Sequence, residues 1–328
     1  MRKYEKGFLV DLYRTMQRIR LCEEGFVEPI LSGEVKCPVH LYSGEEAVAT
    51  GVCAALVSSD YVFGTHRSHG HYLAKGGDLR KMVAEVHCRR DGCAGGRGGS
   101  MHIIDPHVGI LGAAPIVAGT IALAVGAAYA AYVRGDSRVA VAFFGDGAAG
   151  EGVLFEALNL AAVRRLPVLF VCENNLYSTH LPIRECRVQE DIFKVAKPFG
   201  ARSAQVDGND VLAVYEAALK AIERCRAGEG PSFLECKTYR FRGHVGPDDN
   251  IQGSHTDIRP PEEIAWWRER DPIPCFERYL IESGASSEEE LAQLKDKVTV
   301  EVKEAMAWAQ ECSFPAPQEL GRNLFHES

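Results

Sequence analysis

The stretch from Arg138 to Asn175, RVAVAFFGDGAAGEGVLFEALNLAAVRRLPVLFVCENN, restricts the fold more than any other part of the chain. Val139 to Phe144 is a short, uninterrupted apolar run, the pattern of a strand buried on both faces. Gly145-Asp146-Gly147 interrupts it, and a helical stripe of Val153, Leu154, Ala157, Leu158, Ala161 and Ala162 follows. Pro167 restarts the chain as a second apolar strand, Val168 to Cys172, which runs into Glu173-Asn174-Asn175. The result is a βαβ unit with polar residues at the carboxyl ends of two parallel strands, where open α/β sheets place their ligands.

Two readings compete for this unit. Gly145, Gly147 and Gly150 spell G-x-G-x-x-G between a strand and a helix, the form of a dinucleotide fingerprint in an NAD-binding oxidoreductase. Its second position is Asp146, whose carboxylate would face a pyrophosphate of the same sign unless a cation stood between them. A hard cation such as Mg²⁺ accepts a carboxylate, a diphosphate and a neutral amide oxygen together. Asp146 and Asn175 stand 29 positions apart, about what one helix and its return strand need to bring both to the same sheet edge. The metal-diphosphate reading accounts for Asp146 and Asn175; the dinucleotide reading accounts for neither.

GDG, a helix and ENN resemble the thiamine diphosphate motif. The whole stretch is similar to alpha subunits of the decarboxylating component of 2-oxo acid dehydrogenases, pyruvate and acetoin dehydrogenases included. The likeness runs from about Leu9 to about Pro274. It implies that Asp146, Asn175 and the backbone carbonyl of Tyr177 bind Mg²⁺, and that Gly147 and Ala148 adjoin the cofactor. His40, in HLYSGEEA, matches an active-site histidine. The loop THRSHG matches one in which His66 and Arg67 hold the diphosphate, with His69 towards the reacting end. DGCAGGRGGSMH matches a loop that closes over the active site; alone it reads as a flexible glycine-rich segment. IIDPHVGILGAAPIVAG matches a segment whose backbone meets the aminopyrimidine ring, which assigns Val117 to the cofactor. Ala114-Pro115 replaces Asn-Gly there, and Pro115 has no N–H to donate. YRFRGH matches a loop whose histidine, here His244, assists chemistry on the bound cofactor.

The resemblance also implies the activity: thiamine diphosphate and Mg²⁺, decarboxylation of a pyruvate-like 2-oxo acid or oxidation of acetoin, and transfer of an acyl unit to lipoamide. The glutamate that activates the aminopyrimidine comes from a beta subunit in this family, and no equivalent is identifiable here. An α₂β₂ heterotetramer is the expected assembly, with a lipoyl acyltransferase core as a further partner. A related two-subunit carboligase would share every motif, and a non-catalytic paralogue would have little reason to keep Asp146, Asn175, Arg67 and His244 together.

The remaining sequence sets the frame. The expected fold is one α/β domain, a doubly wound parallel sheet with its core at about 40–245. An amino-terminal helix at 4–27 and a helical extension at 262–328 flank it. Ser43 and Glu46 have the spacing of a capping box for a helix from Ala47 to Leu56, as do Ser287 and Glu290 for one at 287–310. Asp78 to Arg90 reads as a capped helix. The polar stretch Pro247 to Pro261 is longer than a connector needs. His66, His69 and His71 fall within six residues but lack the spacing of a structural zinc motif. A net charge of −8 without a basic tract excludes nucleic acid as a partner. Val108 to Val133 carries no charge, yet its Ala, Gly and Pro115 suit a tightly packed internal helix better than a membrane span. Eleven scattered cysteines predict reduced thiols and a cytosolic location.

Overall fold

The computed structural model describes residues 4–247, 250–251, 254–255, 259–319 and 321. The chain begins with α1 (Lys6–Gly25), α2 (Val27–Leu31) and α3 (Glu46–Ala54), then β1 (Tyr61–Gly64), α4 (His69–Ala74) and α5 (Leu79–Val86). Next come β2 (Ile110–Ala113), α6 (Gly119–Arg134), β3 (Ala140–Gly145), α7 (Gly152–Arg164) and β4 (Val168–Asn174). A small hairpin of β5 (Tyr177–Ser178) and β6 (Leu181–Pro182) and the short α8 (Ile183–Cys186) lead to β7 (Arg202–Asp207), α9 (Val211–Arg226) and β8 (Ser232–Lys237). The strand pair β9 (Asn250–Ile251) and β10 (Ser254–His255) and the helices α10 (Pro261–Arg268), α11 (Pro272–Glu282) and α12 (Glu288–Glu311) follow. The rest of the 247–261 stretch and residues 322–328 lie outside the described residues.

Six strands form one sheet in the order β2-β1-β3-β4-β8-β7, and all five pairings are parallel. The alternation of β3 and β4 shows why the sheet is wound on both sides. Val141, Phe143, Leu169 and Val171 enter one core, while Ala142, Phe144, Phe170 and Cys172 enter the other. Successive side chains of a strand point to opposite faces, so a run apolar at every position needs helices on both. The two faces are covered unequally. On the first, α1, α3, α5, α9, α11 and α12 build the larger core. On the second, α6 and α7 are the two long helices, and both leave their outer sides bare: Leu123, Tyr129, Tyr132 and Val133 on α6, Leu160 and Val163 on α7.

Several local expectations need correction. Ser43 does not cap α3, because its hydroxyl donates to Glu24 at 2.9 Å, and Glu46 is held by Arg20 instead. The helix begins with Glu45 as its uncapped N-terminal neighbour and ends at Ala54, not Leu56. Asp78 does cap α5, accepting from the Lys81 N–H, but the helix stops at Val86 rather than Arg90. Cys88 adopts φ 55°, a left-handed conformation that a continuing helix cannot accommodate. Phe26 separates α1 from α2 within the span expected to be one helix. The uncharged 108–133 stretch contains β2 and one half-buried helix, not a wholly internal one. The capping box of Ser287 and Glu290 forms in both directions. Among the described residues no helix is long and apolar enough to cross a membrane.

Candidate active site

The parallel sheet brings the carboxyl ends of β1, β3, β4 and β8 to one edge, and the register makes this exact at the centre. Gly145 pairs with Glu173, and Glu173 with Cys236. The residues that follow these strands, Thr65-His66-Arg67, Asp146-Gly147, Asn175 and Arg240, therefore share one cleft. Asp146 and Asn175 come together as expected: they follow the paired strands β3 and β4 and line the same cleft. The Asn175 side chain lies between Glu45, to which its Nδ2 donates at 2.9 Å, and the Tyr177 N–H, which donates to its Oδ1 at 3.3 Å. Gly147 packs closely on the hairpin, since a Cβ there would lie 2.4 Å from Ser178 Oγ and displace that side chain.

His40, His66 and His244 converge on the same cleft with ring centroids 4.5 to 5.4 Å apart. Burial and the Arg67 guanidinium hold all three imidazoles neutral: His66 is pushed down to about 3 and His244 to about 2, and His40 is lowered further still. Val117 and Ala148 also line the cleft, and Val117 is 53% exposed on its open side.

Arg67 is buried and largely committed to protein oxygens. Its guanidinium donates to the Leu41 carbonyl at 2.6 Å and the His244 carbonyl at 3.1 Å, with Nε 3.6 Å from Glu45. It thereby ties the His40 and His244 loops to the end of β1, and a fork of five donors leaves some over for a phosphate. His69 is not brought to the cleft. Its Nδ1 faces Glu23 at 3.0 Å and its Nε2 faces Ser100 Oγ at 2.9 Å, in full burial. His71 pairs with Glu173 at 2.9 Å and stacks on Phe143, so the histidines of the HRSHGH run point to three different partners rather than to one ion.

Arg240, Glu45 and Glu173 line the cleft without having been assigned there. Arg240 stands in the YRFRGH segment beside Arg242, a basic pair that does not say which arginine turns inward. Glu45 gave no signal, since an acidic residue before a helix is ordinarily solvated. Burial pushes the Glu45 carboxyl up, with Arg67 opposing and Glu173 adding to the rise, and its Oε2 has no hydrogen-bond partner. Burial likewise pushes Asp146 up to about 6, despite Arg240 and Arg187.

These features test the fit of a metal-bound diphosphate. The cleft combines an oxygen donor set at two strand ends, carboxyls whose charge burial disfavours, and buried guanidiniums. A hard dication beside Asp146 would favour its carboxylate form, and Arg67 and Arg240 are suited to the phosphate oxygens. The residues fit.

The glycine-rich segment 91–102 is held in place and is not a loose loop. The Glu85 carboxylate, fully buried, accepts from the backbone N–H groups of Ala94, Gly96, Gly98 and Gly99 at 2.7 to 3.1 Å. Gly96 makes this wrap possible, with φ 74° and a virtual Cβ 2.6 Å from the Arg89 carbonyl. Met101 then reaches the cleft and Ser100 meets His69. Glu85→Gln replaces two acceptor oxygens by one and leaves amide donors unpaired. Stability should fall by about 3 kcal/mol, read by denaturant unfolding. Exchange of the 94–99 amides should rise in the same variant; unchanged protection there would show that the loop is held by something else.

Comparison with known proteins agrees with this construction. The pattern of the family described as dehydrogenase E1 component matches residues 15–318. The chain is 41% identical over 314 residues to the alpha subunit of acetoin:2,6-dichlorophenolindophenol oxidoreductase from Bacillus subtilis (strain 168), covering 96% of this chain and 92% of that one. It is 37% identical over 330 residues to the pyruvate dehydrogenase E1 component subunit alpha of Porphyra purpurea, covering 98% and 94%. With the corresponding subunit of Rhizobium meliloti (strain 1021) it shares 38% over 319 residues, covering 97% and 90%.

Proposed function

From the premise that this chain belongs to the dehydrogenase E1 component family, we propose that it is the alpha subunit of a two-subunit, Mg²⁺-assisted enzyme that takes a pyruvate-like 2-oxo acid or acetoin and delivers an acyl unit to lipoamide. It is an oxidoreductase subunit, and thiamine diphosphate is the family's cofactor. When bound, that cofactor supplies the carbanion chemistry that cleaves the substrate beside its carbonyl; the protein supplies binding, orientation and electrostatics. Asp146, the Asn175 side chain and the Tyr177 carbonyl would hold Mg²⁺, and Arg67, Arg240 and His66 would bind the diphosphate. Gly147 and Ala148 would let the diphosphate approach the end of β3, and Val117, at the open side of the cleft, would meet the ring. His40 and His244 stand as neutral imidazoles able to accept or return a proton.

The observation that carries this reading is the placement of Asp146 and Asn175 at adjacent strand ends in one cleft beside buried guanidiniums. An NAD-binding reading has no use for Asp146. The test is titration calorimetry of thiamine diphosphate with and without Mg²⁺. Binding should require the metal, and Asp146→Ala should weaken it at least tenfold, as removal of an anionic ligand demands; the same affinity in the variant would sink the assignment.

The beta subunit follows from the relatives' being alpha subunits. The bare apolar sides of α6 and α7 and the open, apolar mouth at Ile116 and Val117 support an α₂β₂ assembly that covers them. A lipoyl acyltransferase core is the further partner this chemistry requires. Eleven cysteines, none in a disulfide, favour a reducing, cytosolic compartment.

A further inference from the structure

We propose that His40, His66 and His244 form a tris-imidazole site for a borderline transition-metal ion, zinc foremost, whose occupation shuts the cofactor out of the cleft. One ring nitrogen from each lies within 4.8 Å of the others. Among the described residues no other group of three or more His, Cys, Asp or Glu side chains is so placed. The three rings meet edge to face and make no hydrogen bond with one another. His40 Nδ1 is buried without any partner in a residue only 6% exposed, a polar atom that a ligand would satisfy.

The donor set decides the kind of ion. Three neutral imidazoles with a fourth position left for water is an open zinc geometry, with Zn–N about 2.0–2.1 Å. Nitrogen ligands of this softness select zinc, copper or nickel, whereas Mg²⁺ keeps to oxygen. The site therefore does not compete for the cation at Asp146. Tetrahedral coordination needs nitrogens roughly 3.3 Å apart, so from separations of up to 4.8 Å the rings must close by up to about 1.5 Å. All three residues lie outside regular strands and helices, where side-chain rotation can supply that. Charge permits it too: Arg67 and Arg240 oppose a dication, but Asp146, Glu45 and Glu173 line the same cleft. The antagonism with thiamine diphosphate rests on the proposed function; the metal site itself does not.

The full chain, stripped of metal, is titrated with Co²⁺ as a spectroscopic probe and then with Zn²⁺. One equivalent should give the visible bands of tetrahedral cobalt without thiolate-to-metal charge transfer in the near ultraviolet, and Zn²⁺ should displace it. Zinc affinity should drop at least about 100-fold in His66→Phe and in His244→Gln, each checked for native circular dichroism. A thiolate band, or unchanged zinc affinity in both variants, overturns the site. In the wild type, one equivalent of zinc should lower the affinity for thiamine diphosphate with excess Mg²⁺ at least tenfold. Zinc bound by the trio with cofactor affinity unaltered overturns the antagonism. Absence of Mg²⁺-dependent cofactor binding in zinc-free protein would instead count against the proposed function and leave the metal site standing.

Discussion

His244→Ala should lower turnover by about 10²–10⁴-fold with an artificial electron acceptor, while affinity for thiamine diphosphate changes by no more than about threefold. The asymmetry follows from what the side chain touches. Its imidazole lines the cleft and makes no hydrogen bond to the residues that would grip the diphosphate, whereas its backbone carbonyl is what Arg67 holds. Removing the ring leaves Arg67, Asp146 and Asn175 in place and takes away a proton acceptor. In the protein without cofactor, burial, Arg67, His66 and Arg240 push His244 down to about 2, too weak a base for work near neutral pH. An anionic diphosphate beside Arg67 would offset that positive field and raise the value. Proton NMR of His244 should therefore show its pKa rising when Mg²⁺ and thiamine diphosphate are added. Turnover within about threefold of wild type would remove the histidine from the chemistry, and a pKa indifferent to cofactor would remove the electrostatic reason for placing it there.

What could be read in advance was whatever depends on neighbours in sequence. The apolar runs of β3 and β4, broken by GDG and closed by ENN, identify a parallel βαβ unit because no short-range alternative buries both faces of such strands. The same unit locates Asp146 and Asn175. Asp78, Ser287 and Glu290 cap as expected because capping is a local exchange of hydrogen bonds. Ser43 and Glu46 have the same spacing and fail, since Glu24 and Arg20, both on α1, claim their side chains first. That competition is tertiary and has no signature in an S-x-x-E pattern. His69 was drawn to the reacting end by its loop, yet Glu23 and Ser100 take both its nitrogens. Glu85 is the sharpest case. A glycine-rich run suggests mobility, but a single buried carboxylate fixes four of its amides, and nothing in the run announces the partner. The histidine trio likewise unites the segment before α3, the end of β1 and the end of β8, which only the sheet brings together.

The largest effect expected is that the chain purified alone gives no steady-state turnover of any 2-oxo acid or of acetoin, and gains it when a beta subunit is supplied. Two glutamates do line the cleft, but both are engaged on the diphosphate side of it. Glu173 receives the Tyr42 hydroxyl and the His71 ring, and Glu45 receives the Asn175 amide beside Asp146. Neither is free to approach an aminopyrimidine ring at the opposite, open side, where Ile116 and Val117 are 71% and 53% exposed. On the proposed function the chain would grip one end of the cofactor and leave the other to a partner. The unequal covering of the sheet points the same way, since α6 and α7 leave Leu123, Tyr132, Val133 and Val163 exposed while the opposite face is sealed by six helices. Exposed apolar side chains on two adjacent helices are costly in water and favour burial against another subunit. Light scattering should report a larger assembly once the beta subunit is added, and activity should titrate with it to saturation at equal stoichiometry. Robust turnover by the beta-free chain would mean that the activating carboxylate lies within this sequence. Glu45→Gln would then be the variant to make first, because Glu45 Oε2 is a fully buried carboxylate oxygen of the cleft without a hydrogen-bond partner.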